Sequence, residues 1–186
     1  MSNRFQWIVV AAVLGALGAL LVVGAVVSSG VGLVGPGEPA PGFRAVNVKT
    51  GDVAALSDYR DQVVLLNIWA TWCKPCELEM PSMQRLHAQL GPEGLRVVAI
   101  SIDTDPPDKV REWVEARGLS FDILQDRSGR IQGTYQTTGV PESFVIDGSG
   151  LIVKKQIGAW EWDQPAALAF FRRLLRAQAD RSSTGE

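Results

Sequence analysis

Val63-Val64-Leu65-Leu66-Asn67-Ile68-Trp69-Ala70-Thr71-Trp72-Cys73-Lys74-Pro75-Cys76 is the stretch from which the rest of the chain is read. Its first seven residues form a short apolar run of buried-strand type, and an amphipathic pattern follows the second cysteine. The two cysteines are the only ones in 186 residues, and they stand where a strand gives way to a helix. Two thiols so spaced can close a small disulfide and reopen it, provided that one is a thiolate and the other stays near enough to attack a mixed disulfide. Cys73, at the helix start, is the expected nucleophile, because unpaired backbone N–H groups and the helix dipole favour a negative sulfur there. Lys74 adds a nearby positive charge, and Pro75 suits the first helical turn. Cys76, one turn in and more shielded, is the expected resolving thiol.

Two plainer readings compete. A structural zinc needs about four ligands, and two cysteines with one histidine do not supply them within one chain. A purely structural disulfide across so short a loop would restrain the unfolded chain only modestly, since the stabilisation grows with loop length. The strand-then-CxxC context therefore points to a redox dithiol, Cys73-Cys76, with no metal and no cofactor beyond that disulfide.

Residues 7–27, Trp7 to Val27, contain no charge in 21 positions. At 1.5 Å per residue that is long enough to cross a bilayer core of about 30 Å, so a transmembrane anchor is expected. A cleaved secretory signal is the rival, with small Ser28 and Ser29 behind the span, but its apolar core is usually only about 7 to 15 residues long. Arg4 and the terminal amine are the only positive charges before the span, and none follows until Arg44. The positive-inside rule then places residues 1–6 in the cytoplasm and the remainder outside, on the periplasmic side of an inner membrane. Ser28 to Gly42 carries five glycines and three prolines, the composition of a flexible linker.

What remains is a domain over 43–179 and a tail over 180–186. Eighteen basic and twenty acidic residues leave a net charge of −2, and nothing suggests a nucleic-acid partner. Arg172, Arg173 and Arg176 fall opposite Leu168, Phe171 and Leu175 on a helix and read as a solvated face.

Strands are expected near Arg44 to Val48, Val63 to Trp69, Val97 to Ile102, Asp122 to Leu124, Ser143 to Ile146 and Leu151 to Ile157. Helices are expected at Pro75 to Leu90, Asp108 to Arg117, Ile131 to Tyr135 and Gln164 to Gln178. The Asp147-Gly148-Ser149-Gly150 turn is a strong hairpin signal. Strands alternating with helices and ending in a hairpin indicate an α/β sandwich with a mixed sheet.

Trp69-Ala70-Thr71-Trp72-Cys73-Lys74-Pro75-Cys76-Glu77-Leu78-Glu79-Met80-Pro81, followed by Gly139-Val140-Pro141-Glu142-Ser143-Phe144, resembles the membrane-anchored thioredoxin-like proteins of the TlpA/ResA/CcmG (DsbE) group. The likeness covers roughly Gly42 to Ala179. It implies a thioredoxin fold with an N-terminal strand extension and a helix–strand insertion between Cys76 and Pro141. It also implies extracytoplasmic exchange with protein disulfides, commonly those of apocytochrome c, and a membrane thiol donor of electrons. Pro141 would be a cis-proline facing the dithiol, and Val140 would offer backbone groups to an extended substrate segment.

Glu79 leads Met83, Leu86 and Leu90 at offsets of four, seven and eleven, which places a carboxylate on the apolar helix face. Burial there should raise its pKa and let it trade protons with Cys76. The plainer alternative is a side chain that snorkels to solvent or favours the helix N-terminus. Glu142 could tune the thiols or select substrate, or be an exposed edge residue. Trp72 is expected to cover the nucleophile and contact substrate, whereas Trp69, Trp160 and Trp162 read mainly as packing.

Rival functions fare less well. A Sco-like copper protein would want wider cysteine spacing and a distant histidine, and His87 shares the dithiol helix. A peroxiredoxin would need a Pro-x-x-x-Thr-x-x-Cys arrangement, and no proline stands in that place before Thr71. A non-enzymatic adaptor would make the CxxC an accident.

Overall fold

The computed structural model describes residues 33–184, together with Trp7, residues 13–16 and Gly18. The chain divides into two units, Met1–Leu33 and Val34–Glu186. In the first, the few described residues before Leu33 are helical. Most of the expected span from Trp7 to Val27 lies outside the described residues, and among these no helix is long and apolar enough to cross a membrane.

The second unit is built on β3 (Val63–Trp69), every residue of which is buried. It pairs in parallel with β4 (Leu95–Ser101) on one side and antiparallel with β6 (Glu142–Ile146) on the other. The sheet is completed by β1 (Arg44–Asn47), β2 (Val53–Ala55), β5 (Asp122–Gln125) and β7 (Ile152–Ile157), in the order β2-β1-β5-β4-β3-β6-β7. Both faces of β3 are covered, which is why its sequence is a continuous apolar run rather than an alternation. Val63, Leu65 and Trp69 join one core with Met80, Met83, Leu86 and Phe171. Val64, Leu66 and Ile68 join the other with Phe43, Tyr135 and Phe144.

Among the described residues of the second unit, four α-helices flank the sheet: α1 (Lys74–Leu90), α2 (Pro107–Glu115), α3 (Arg130–Thr134) and α4 (Pro165–Thr184). The expected insertion is α2 with β5, and β5 joins the sheet between β4 and β1. The expected N-terminal extension is the β1–β2 hairpin, of which β2, three residues long, gave too short a pattern to read. The 180–186 tail is corrected in part, because α4 runs to Thr184. Its apolar periodicity stops near Leu175, but Ser182 and Ser183 hydroxyls bond the carbonyls of Gln178 and Asp180, and Arg181 bonds the Gln178 side chain.

The expected linker also needs correction, since the domain begins at Val34 rather than near Phe43. Residues 37–40 lie along β7 and the turn before it. Gly37 N–H donates to the Ile152 carbonyl, Ile152 N–H to that of Glu38, and Ala40 N–H to that of Gly150. The glycines and prolines of residues 35–41 therefore serve a tight strap, whose Pro41 carbonyl accepts from the Tyr135 hydroxyl at 2.7 Å.

Candidate active site

β3 ends at Trp69, and the chain turns through Ala70–Trp72 into α1. Cys73 caps that helix in extended conformation (φ −86°, ψ 102°), and its sulfur accepts from Cys76 N–H at 3.2 Å. The two cysteines are joined as a disulfide with Cα atoms 5.3 Å apart. Cys73 keeps 5% of its surface and Cys76 none, the order expected of an attacking and a shielded thiol. Lys74 departs from expectation: its ammonium reaches Glu77 at 2.8 Å, and Glu77 also takes Arg117 at 2.7 Å. These two cations hold the Glu77 carboxyl well below its usual range. The Lys74 charge is thus largely offset, and helix geometry carries more of the case for a thiolate at Cys73.

The Val140–Pro141 peptide is cis, and the Val140 carbonyl oxygen lies 3.5 Å from Cys73 Sγ. The Val140 carbonyl therefore faces the dithiol, with the cis bond to Pro141 directly after it. The Pro141 carbonyl accepts from Gly158 N–H at 2.9 Å, and Gly158 turns the chain off β7 with φ +78°, a region glycine enters without strain.

Glu79 is buried one turn past Cys76. Its Oε1 accepts from Asn67 Nδ2 at 2.7 Å, and its Oε2 from Trp160 N–H at 3.1 Å and Trp162 Nε1 at 3.3 Å. Burial pushes its carboxyl up to about 7, against the pull of these three bonds. All three donors are neutral, so a proton can come and go near neutral pH without breaking an ion pair.

Glu142 is not at the substrate surface and is not an exposed edge residue. It is fully buried. Oε1 lies 2.9 Å from Lys155 Nζ, and Oε2 accepts from Thr138 N–H at 3.0 Å. A side chain so enclosed holds the loop that leads into the cis-proline rather than touching a partner. Trp72, by contrast, is open to solvent, and Trp69 packs on Trp113 with ring centres 4.9 Å apart. The Trp162 ring does more than pack, since its indole N–H donates to Glu79, whereas Trp160 donates there only through its backbone N–H and packs its ring edge-on against Trp162.

Asp103 was not anticipated. It is buried just beyond β4, where it accepts from Thr71 N–H (2.9 Å), the Thr71 hydroxyl (2.7 Å) and the Ser101 hydroxyl (2.6 Å). It fixes the turn that delivers Cys73. Nothing in its Asp-Thr-Asp-Pro-Pro context separates it from an ordinary helix-start residue. Asn67 did leave a signal, as the one polar residue in an apolar strand. His87 lies about 16 Å beyond Cys76 at 1.5 Å of helix rise per residue, too far to share a ligand with the sulfurs.

With this geometry in place, a profile of the AhpC/TSA family matches residues 36–155. The chain belongs to the AhpC/TSA family. Among its relatives, thiol-disulfide oxidoreductase ResA of Geobacillus kaustophilus is 39% identical over 124 residues, covering 67% of this chain and 69% of the relative. ResA of Bacillus anthracis is 38% identical over 123 residues, covering 66% and 69%. A solved Chlorobium tepidum protein, described as a thiol:disulfide interchange protein DsbE, superposes with a TM-score of 0.65 at 30% identity over 77% of this chain and 96% of its own. This AhpC/TSA member is a thiol-disulfide oxidoreductase of the ResA and DsbE type with a thioredoxin fold.

Proposed function

We propose that this oxidoreductase works as a membrane-anchored, extracytoplasmic reductant of protein disulfides, with apocytochrome c among the candidate substrates. The observation that carries the reading is the Cys73–Cys76 disulfide on the start of α1 with the Val140 carbonyl beside Cys73. In the reduced protein the Cys73 thiolate attacks one sulfur of a substrate disulfide. That S–S bond breaks as the mixed disulfide forms, and the departing substrate thiolate takes up a proton. Cys76 then gives its proton to ionised Glu79 and attacks Cys73 Sγ. The mixed disulfide breaks, the second substrate sulfur leaves as a thiolate that takes up a proton, the protein disulfide closes, and two electrons have passed to the substrate. No cofactor enters this cycle, and a membrane thiol carrier returns the electrons. The uncharged stretch from Trp7 to Val27 and the charge distribution around it support the anchor and its orientation, while the direction of electron flow follows the TlpA/ResA/CcmG resemblance.

Full-length Cys76→Ser protein expressed in cells should trap exported proteins as mixed disulfides on Cys73, and alkaline carbonate should leave the chain in the membrane. Adducts with cytosolic proteins alone would refute the location, and a soluble chain starting near residue 28 would refute the anchor. Absence of any Cys73-dependent adduct would refute the substrate class.

A further inference from the structure

The surface around the disulfide is apolar in a way that the rest of the domain is not. Among the described residues of the second unit, the exposed large apolar side chains are Val53, Trp72, Leu78, Leu151 and Ile157. Three of these stand at the dithiol end. Trp72 precedes Cys73, Leu78 follows Cys76, and Ile157 pairs with Glu142 next to the cis-proline. They are 68%, 67% and 63% exposed. Clustering of this kind around a reactive group marks a surface that other molecules cover.

A groove of about 470 Å³ opens at Lys74 and follows α1. Leu78, Pro81 and Leu119 give it an apolar lining, and Lys74, Glu77 and Arg117 its charges. Both cations are engaged by Glu77, and the Arg117 guanidinium also stacks 3.7 Å from the Trp113 ring centre. The groove thus offers apolar area beside internally paired charges, which suits an apolar occupant better than an ionic one. Its lining includes Lys74, the residue next to Cys73, so a chain in mixed disulfide with that sulfur has the groove within reach. Leu78 is about 7 Å along the helix from Cys73, a distance that extended chain covers in about two residues.

We propose that this groove receives a large apolar side chain of the substrate polypeptide, about two residues from its reacting cysteine. The enzyme then prefers protein disulfides flanked by aromatic or aliphatic residues. This rests on the reading of the protein as a protein-disulfide reductase and adds the specificity element to it.

The test uses the reduced full chain, bis(2-hydroxyethyl) disulfide, and two peptides closed by an internal disulfide that differ only in Phe or Ser two residues from a cysteine. The Phe peptide should be reduced about tenfold faster, the lower end of what burying such a side chain contributes. Leu78→Ser should bring the ratio to within about twofold, and Leu78→Met should restore most of it. Val53→Ser, on the edge strand, should leave it unchanged. A Phe-to-Ser ratio near one in the unaltered protein, or a ratio that survives Leu78→Ser, overturns the proposal. If Leu78→Ser alters sedimentation of the chain but not the peptide ratio, the groove seats a second copy and the proposal is overturned. If the unaltered protein reduces neither the peptides nor bis(2-hydroxyethyl) disulfide, the reductase reading itself falls and takes the proposal with it.

Discussion

Replacing Glu79 by glutamine removes a buried charge while keeping the size of the side chain. The folded protein holds the Glu79 proton until about pH 7, whereas an ordinary glutamate releases it near 4.5. Between these values the folded state binds more protons than the unfolded one, so stability falls as pH rises. Below 4.5 both states are protonated and the penalty is absent, and above about 7 it is complete. At 1.36 kcal/mol per pH unit the loss is about 3 kcal/mol. Glu79→Gln escapes it, and the amide has somewhere to go. Asn67 Oδ1 has no hydrogen-bond partner in the protein, so a flip of the Asn67 side chain presents an acceptor to the new NH₂ group. Urea unfolding of the oxidised protein and variant at intervals from pH 4 to 9 measures the difference directly, because the other carboxylates cancel. The variant should gain about 3 kcal/mol on the unaltered protein over that range, mostly between pH 5 and 7. A difference that stays flat across pH would show that burial does not perturb Glu79, and the proton-relay role would go with it.

Three further outcomes are expected. Asp103→Ala should cost about 3 kcal/mol in urea unfolding, since it strands the Thr71 N–H and two hydroxyls, while Asp103→Asn should cost much less because its amide still accepts from Thr71. Lys155→Met should destabilise by about 3 to 5 kcal/mol by leaving Glu142 buried without its cation, and Glu142→Gln in the same chain should recover part of that loss. When the reduced protein is titrated with an alkylating reagent and mapped by mass spectrometry, Cys73 should react at lower pH than Cys76, and the opposite order would reverse their assigned roles.

The strand and the dithiol were legible in the sequence because each leaves a local mark, an apolar run and a cysteine spacing, whereas the cis-proline followed only from the family resemblance carried by the motif around Pro141, since few X–Pro bonds are cis. Glu79 was legible as a violation of helical periodicity. What could not be read was whatever depends on residues distant along the chain. Glu142 reads in the sequence as a carboxylate that tunes the thiols or selects substrate, or as an exposed edge residue, because its cation, Lys155, sits on the neighbouring strand and its other donor is Thr138 in the loop behind it. Trp162 read as packing because the acceptor of its indole N–H lies about eighty positions earlier. The strap over residues 37–40 was taken for linker since glycine and proline suit a tight path along a strand as well as a loose one, and only its hydrogen bonds with Gly150 and Ile152 decide between them.

That strap also bears on what the domain does at high local concentration. A sheet that ends in an unpaired strand invites another copy to add to it, and β2 and β7 are the two ends here. β2 is only three residues long and offers little to pair with. At β7 the strap already occupies hydrogen bonds at Ile152, and Lys154 and Lys155 follow along the strand. Both edges are thereby blunted against stacking into aggregates. Deleting residues 34–40 should leave the disulfide chemistry intact and yet produce protein that precipitates on concentration, a failure that lies in colloidal behaviour rather than in catalysis.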